Sequence, residues 1–179
     1  MQLETDRFLL RPLGSGDVPE DYFSWLTDEN ITRYLHIFLE DYSEEDARSY
    51  IDGHDNRNGF FFGIFTKDEQ FIGTHSVKGS QKSKKFSIGG LIGARNFWGQ
   101  NVIVETRAEL LDFGFNELNQ LKAEAGCYAS NRPALYNFLR QGWEKEGVLR
   151  AHRTVEKVSD DLILFGLLKH EWVNRNSVS

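Results

Sequence analysis

Two short runs near the middle of the chain constrain its fold most: GFFFGIF at 59–65 and FIGTHSV at 71–77. Each is shorter than a packed helix needs and is dense in aromatic and β-branched residues, which suit a pleated, half-buried surface. Polar Lys67, Asp68, Glu69 and Gln70 separate them, so the pair reads as an antiparallel hairpin. A lysine-rich loop with Lys82, Lys84 and Lys85 follows, then a third strand over about Phe86 to Gly93. Beyond it the period changes. Ile103, Ala108, Leu110, Leu111 and Phe115 make an apolar stripe of helical width, predicting a helix from about Gln100 to Leu118.

The flanking regions extend this pattern. A strand over Phe8 to Arg11 precedes a Gly/Ser/Asp loop and a helix after Asp17 carrying Tyr22, Phe23, Trp25 and Leu26. Ser43 reads as the cap of another helix, whose acidic first turn (Glu44, Glu45, Asp46) suits the positive end of a helix dipole. Downstream, LKAEAGCYAS is a strand, and Asn131-Arg132-Pro133 is an N-cap with proline in the first turn of a helix that Gly142 stops. Trp143 to Arg150 and Asp161 to Lys169 close the sheet, leaving 171–179 as a polar tail. With 179 residues, 40% of them hydrophobic, and no repeat or low-complexity linker, the expectation is one α+β domain over 1–179.

Charge and cysteine content narrow the partners. A net charge of -6 weighs against general nucleic-acid or membrane binding, which favour a basic surface. One cysteine, Cys127, permits no internal disulfide and no structural zinc site by itself, so the expected setting is cytoplasmic and without metal. No stretch approaches a membrane span. Cys127 reads as a small buried hydrophobe, not as a nucleophile.

The chemistry concentrates at ARNFWGQNVIVET, residues 94–106. A strand, a glycine-containing loop and a helix start aim several unpaired backbone N–H groups in one direction, a suitable seat for a phosphate or pyrophosphate. FSIGGLIG lies directly upstream, ASNRPALYNFLRQGWEKEGVLR downstream, and DDLILFGLLKHEW near the end. This ordered series resembles the GNAT superfamily of acyl-CoA-dependent N-acetyltransferases, nearest to the branch of Rim-type ribosomal-protein and sugar-nucleotide aminosugar acetyltransferases.

The resemblance implies a mixed, mostly antiparallel sheet of about seven strands with about four helices, a bulged strand and a splayed strand pair holding acyl-CoA. It places the pantetheine arm of acetyl-CoA along Leu91, Ile92 and Gly93, and the pyrophosphate among Trp98, Gly99, Gln100, Asn101 and Val102. Asn131 and Phe138 match family positions beside the cofactor, and Gly142 with Trp143 matches its glycine-aromatic pair. The loop pattern of Gln or Arg, two spacers, Gly, one spacer, then Gly or Ala is met here by Asn96, Gly99 and Asn101, so only the central glycine is kept. The family's tyrosine acid is replaced by Phe138 and its serine by Ala134.

Acyl transfer to an amine needs a neutral amine, a polarised carbonyl and a protonated leaving thiolate. His75 is the first candidate base, and Tyr136 the nearest helix hydroxyl to the missing acid, with Ser130 and Tyr128 as further donors. Glu105 reads as a first-turn charge favourable to the helix dipole. Tyr34 and His36 are candidate lining of an acceptor cleft. The implied activity is direct transfer from acetyl-CoA to a primary amine, on a protein N-terminus, an aminosugar nucleotide or another small amine, by a monomer or homodimer. The alternative is a non-catalytic acyl-CoA-binding or protein-interaction module.

Overall fold

The computed structural model describes residues 1–35, 42–155 and 157–176. The first third holds β1 (Leu3–Glu4), β2 (Phe8–Pro12), α1 (Asp21–Leu26), α2 (Glu29–Thr32) and α3 (Glu44–Asp52). Next come β3 (Gly59–Thr66), β4 (Phe71–Ser80), β5 (Lys85–Ile92) and α4 (Val102–Asp112). The chain then forms β6 (Lys122–Tyr128), α5 (Arg132–Arg140), β7 (Glu144–Val155), β8 (Val158–Leu168) and α6 (Lys169–Asn176). The eight strands of the described residues join one sheet in the order β1-β2-β3-β4-β5-β6-β8-β7, antiparallel except where β5 meets β6.

Local chemistry explains many of the boundaries. The Ser43 hydroxyl accepts from the Asp46 N–H while the Asp46 carboxylate accepts from the Ser43 N–H, closing a capping box at α3. Asn131 caps α5 by accepting from the Ala134 N–H.

Strand alternation sorts side chains onto the two faces of the sheet. Leu10, Phe62, Val77 and Phe86 face α4, α5 and α6, where Leu110, Phe115, Phe138 and Trp172 pack on them. Leu9, Phe61, Phe65 and Phe71 face the other way, against Tyr22, Leu26 and Ile51 of α1 and α3.

Three expectations need correction. The predicted helix over 100–118 is α4 followed by a π-turn, Phe113–Glu117. There Gly114 lies so close to Phe86 that an added Cβ would sit 2.3 Å from its ring. The polar tail at 171–179 is helical through Asn176, because Trp172 is an anchor: it is 5% exposed and its Nε1 donates to Asp112 Oδ1 at 2.7 Å. Residues 177–179 lie outside the described ones. Finally, β4 and β5 pair in unbroken register from Gly73↔Ile92 to Ser80↔Lys85, so the bulge expected in β5 is absent from this pairing. A register shift falls instead at Ile64/Phe65 of β3. No helix among the described residues is long and apolar enough to cross a membrane.

Candidate active site

The sheet opens between β5 and β6. Their parallel pairing covers only Lys85↔Lys122, Phe86↔Ala123 and Ser87↔Glu124. Beyond that, β5 continues along β4 and β6 along β8. Gly93 N–H donates to Ile72 O, and Lys84 O accepts from Leu121 N–H across the β6 side. Antiparallel alternation therefore turns the backbone groups of Ile88, Gly90 and Ile92 into the gap. One of them is in use: Trp98 Nε1 donates to Ile92 O at 2.9 Å.

At the mouth of the gap stands the loop 94–101. Gly93 must be glycine, since an added Cβ would lie 1.8 Å from the indole of Trp25. Ala94 N–H joins Gly93 in donating to Ile72 O, and Phe97 and Trp98 donate within a tight turn. Gly99 has φ +76° with open space where a side chain would be. Asn101 caps α4 at φ +61°, a left-handed conformation that asparagine tolerates better than most residues.

This answers how Asn101 replaces a small residue. Its side chain turns aside, with Oδ1 accepting from Arg140 Nη2 of α5 at 2.9 Å. The N–H groups of Gly99, Asn101, Val102 and Ile103 have no hydrogen-bond partner among the described residues. Four free donors at a helix N-terminus suit a phosphate.

Other contacts fix this cradle. The Gln100 side chain folds back to Asn96 O at 2.6 Å, and Arg7 Nη2 donates to Gln100 O at 2.8 Å. Glu105 accepts from Thr5 Oγ1 (2.7 Å), the Arg7 N–H (3.0 Å) and Arg7 Nε (2.7 Å), clasping the N-terminal strands to α4. The Val102 side chain is buried against Phe8, Ile64 and Ile72, leaving only its backbone towards the loop.

His75 is on the wrong face to act as the base. Thr74 and Ser76 line the cleft described below, whereas the ring of His75 points towards α4 and is 1% exposed. Nδ1 lies 2.8 Å from Gly89 O and Nε2 2.8 Å from Thr106 Oγ1. A neutral ring that donates Nδ1–H to the carbonyl accepts at Nε2 only when the Thr106 hydroxyl turns its single proton from Val102 O, which also lies 2.8 Å away. Burial, and to a lesser degree nearby Arg107, pushes its pKa down to about 4, while the Gly89 contact opposes this. His75 is a core residue.

Tyr136 also fails as the acid. It is 62% exposed on the outer side of α5, beneath the Arg140 guanidinium, and does not line the cleft. Phe138 is buried rather than presented to a cofactor: it stacks on Phe165 at 4.8 Å, with the Arg107 guanidinium 4.1 Å from its centroid. Ser130 is tied to Asp160 by both N–H and hydroxyl. Tyr128 is buried under Arg153. Cys127 is buried, and desolvation raises its thiol pKa to about 11, the behaviour of an inert core thiol. Tyr34 donates to Ser130 O at 3.5 Å and is not part of the cleft wall; His36 lies outside the described residues.

A cleft of about 710 Å³ opens onto the gap from the α1/α3 side. Its floor is Ser87 to Leu91 of β5 with Thr74, Ser76 and Glu124, and its far wall carries Tyr22, Tyr42 and Tyr50. Burial, then the proximity of Tyr42 and Tyr50, drives the Tyr22 pKa far above its ordinary value. Glu124 and Glu146 are held by Lys122 at 3.6 and 2.7 Å, and Glu124 also by Lys85 at 2.8 Å. Of these lining residues only Leu91 was among the sequence candidates. Strand parity carried a signal for Thr74 and Ser76, but nothing local tied the first-third tyrosines to β5.

A sheet parted between parallel neighbours, with a phosphate-type cradle at the mouth of the gap and a cleft beside it, defines an acyl-CoA-dependent N-acyltransferase. The family model described as acetyltransferase (GNAT) domain matches residues 7–143, and the chain belongs to that family. It is 31% identical to the uncharacterized N-acetyltransferase p20 of Bacillus licheniformis, over 95% of this chain and 97% of that one. Identity to YoaA of Bacillus subtilis, also named an uncharacterized N-acetyltransferase, is 27% over 93% and 96% of the two chains. Among solved structures, the fold is similar to spermidine N-acetyltransferase from Vibrio cholerae in complex with CoA and spermine (TM-score 0.80, 19% identity, 93% and 98% covered). A GNAT-family acetyltransferase from Bacillus anthracis aligns with TM-score 0.77 and 18% identity, over 95% and 99%. The protein is thus an acetyltransferase, which sets aside the non-catalytic module.

Proposed function

We propose that this protein transfers the acetyl group of acetyl-CoA directly to a primary amine, within the branch of Rim-type and aminosugar acetyltransferases. The observation that carries this is the gap beyond Ser87↔Glu124, joined at its mouth to the N–H groups of residues 99 and 101–103 and along its side to the cleft. Those N–H groups receive the pyrophosphate, and the free backbone of Ile88, Gly90 and Ile92 pairs with the pantetheine arm as an added strand would. Pairing at Ile92 requires the Trp98 indole to leave the carbonyl it now holds. Acetyl-CoA supplies the activated thioester.

The chain's own groups supply the rest. A β5 N–H in the gap stabilises the charge developing on the carbonyl oxygen, worth about 3 to 4 kcal/mol for a well-placed donor. Glu124 is the only titratable side chain of β5 or β6 that lines the cleft, and it takes the ammonium proton through water. Neither Phe138 nor Ala134 can donate a proton, so solvent protonates the thiolate.

The two acceptor classes are a protein N-terminus and an aminosugar nucleotide. No lysine or arginine lines the cleft among the described residues, which leaves a sugar-linked diphosphate without a cation and favours the N-terminus. The reaction belongs in the cytoplasm, with the protein acting as monomer or homodimer. Calorimetric titration with acetyl-CoA tests the reading: saturable binding in the micromolar range is expected, and no heat at high micromolar concentration overturns it.

A further inference from the structure

The walls of the cleft say more about the acceptor than that it carries an amine. Leu26, Leu35 and Phe61 line the cleft together with the rings of Tyr22 and Tyr50. Tyr22 and Tyr50 both meet Phe61 edge-on, with centroids at 5.4 and 6.2 Å. These rings leave an apolar surface shaped for another flat or branched group.

Charge points the same way. Among the described residues, Glu124 and Glu146 are the only carboxylates in the lining; Lys122 engages both, and Lys85 engages Glu124. Two carboxylates matched by two ammonium groups leave no unmatched negative charge among the described lining residues for an acceptor bearing several amines. The hydroxyls of Thr74, Ser76 and Ser87 lie along the floor next to the gap, where one amine can be oriented. An apolar cleft also disfavours the ammonium form, which helps release the proton that direct attack requires.

We infer that the acceptor is a primary amine on an apolar skeleton, with an aromatic or branched aliphatic group within one or two carbons of the nitrogen. This rests on the acetyl-transfer reading above. Two sources share that chemistry: a peptide whose first residue is Phe or Leu, and a free arylalkylamine. Both place the nitrogen on the hydroxyl floor and the side group against Phe61 and Leu26.

The test measures thiol release from acetyl-CoA with a chromogenic disulfide, using Phe-, Leu-, Ser- and Asp-initiated tetrapeptides, phenylethylamine, spermidine and an aminosugar nucleotide. The expected kcat/KM for the Phe and Leu peptides or for phenylethylamine is at least about 30-fold above every polar acceptor, the scale of burying one such side chain. The arm that leads identifies the source. Tyr50→Ser, at a partly exposed wall position, removes an aromatic part of the wall and should lower that ratio about tenfold, mainly through KM for the apolar amine.

Spermidine or the aminosugar nucleotide as best acceptor would overturn the inference while leaving acetyl transfer intact. Acetyl-CoA binding without turnover of any apolar amine would overturn it as well. Loss of acetyl-CoA binding itself would instead strike the underlying reading, and calorimetry separates that case.

Discussion

The sharpest prediction concerns His75, which sequence spacing marks as a base and which the fold buries. Folding lowers its pKa from the ordinary 6.5 to about 4, chiefly because burial penalises the charged ring. Between those values the unfolded chain holds a proton that the folded chain does not. Stability from this group is therefore full above about pH 7 and is lost as pH falls towards 4. At pH 5 the linkage relation gives a loss of about 2 kcal/mol relative to pH 7.5. Burial also lowers the pKa of His54, so the variant comparison is essential. His75→Gln keeps one donor and one acceptor for Gly89 O and Thr106 Oγ1 and cannot titrate. Urea unfolding followed by tryptophan fluorescence at pH 7.5, 6 and 5 should show the wild type losing about 2 kcal/mol more than the variant across that range. Per folded molecule, kcat/KM for any accepted amine should stay within about threefold, whereas loss of a true general base costs about 100-fold or more. Equal pH slopes in the two proteins, or a folded variant that has lost activity on the larger scale, would refute the assignment of His75 to the core.

Two other substitutions probe the cradle and α5. Asn101→Gly removes the Arg140 contact but relieves a left-handed φ of +61°, so acetyl-CoA affinity should be equal or better; a tenfold weaker Kd by calorimetry would mean that the asparagine, or the arginine it holds, serves the cofactor. Tyr136→Phe should change kcat less than twofold at any pH between 6 and 9, because the hydroxyl is on the solvent side of α5; a lost alkaline or acid limb in the pH–rate profile would return it to the reaction.

What the sequence made legible was local. The Ser43 cap, the Asn131 cap and the hairpin over 59–77 each depend on residues a few positions apart, and the structure has all of them. The family motif likewise led to the gap and the cradle, since strand, loop and helix there are contiguous in the chain. Facing was harder. His75 and Ser76 differ by one position on a strand of alternating character, and which of them meets α4 depends on how the whole sheet is covered. Tyr136 and Phe138 pose the helical form of that problem. The cleft wall was hidden for another reason: Tyr22 and Tyr50 reach β5 only through tertiary packing between residues far apart in the chain. Trp172 shows the converse, a polar run made helical by one anchor.

The three residue pairs joining β5 to β6 behave like the tip of an arrested crack. On either side the strands are joined neighbour to neighbour, β1 to β5 on one flank and β6, β8 and β7 on the other. A slender guest can wedge between the flanks without tearing either ladder, but it cannot travel past Ser87 and Glu124. The position of the tip therefore acts as a depth stop. Lengthening the seam by one pair, at Ile88 and Ala125, would stop the guest about 3.3 Å earlier, and shortening it by one would admit the guest by the same amount. On the proposed reading, such a register of depth, set by where two strands cease to pair, selects which atom of a long flexible arm is presented to the cleft.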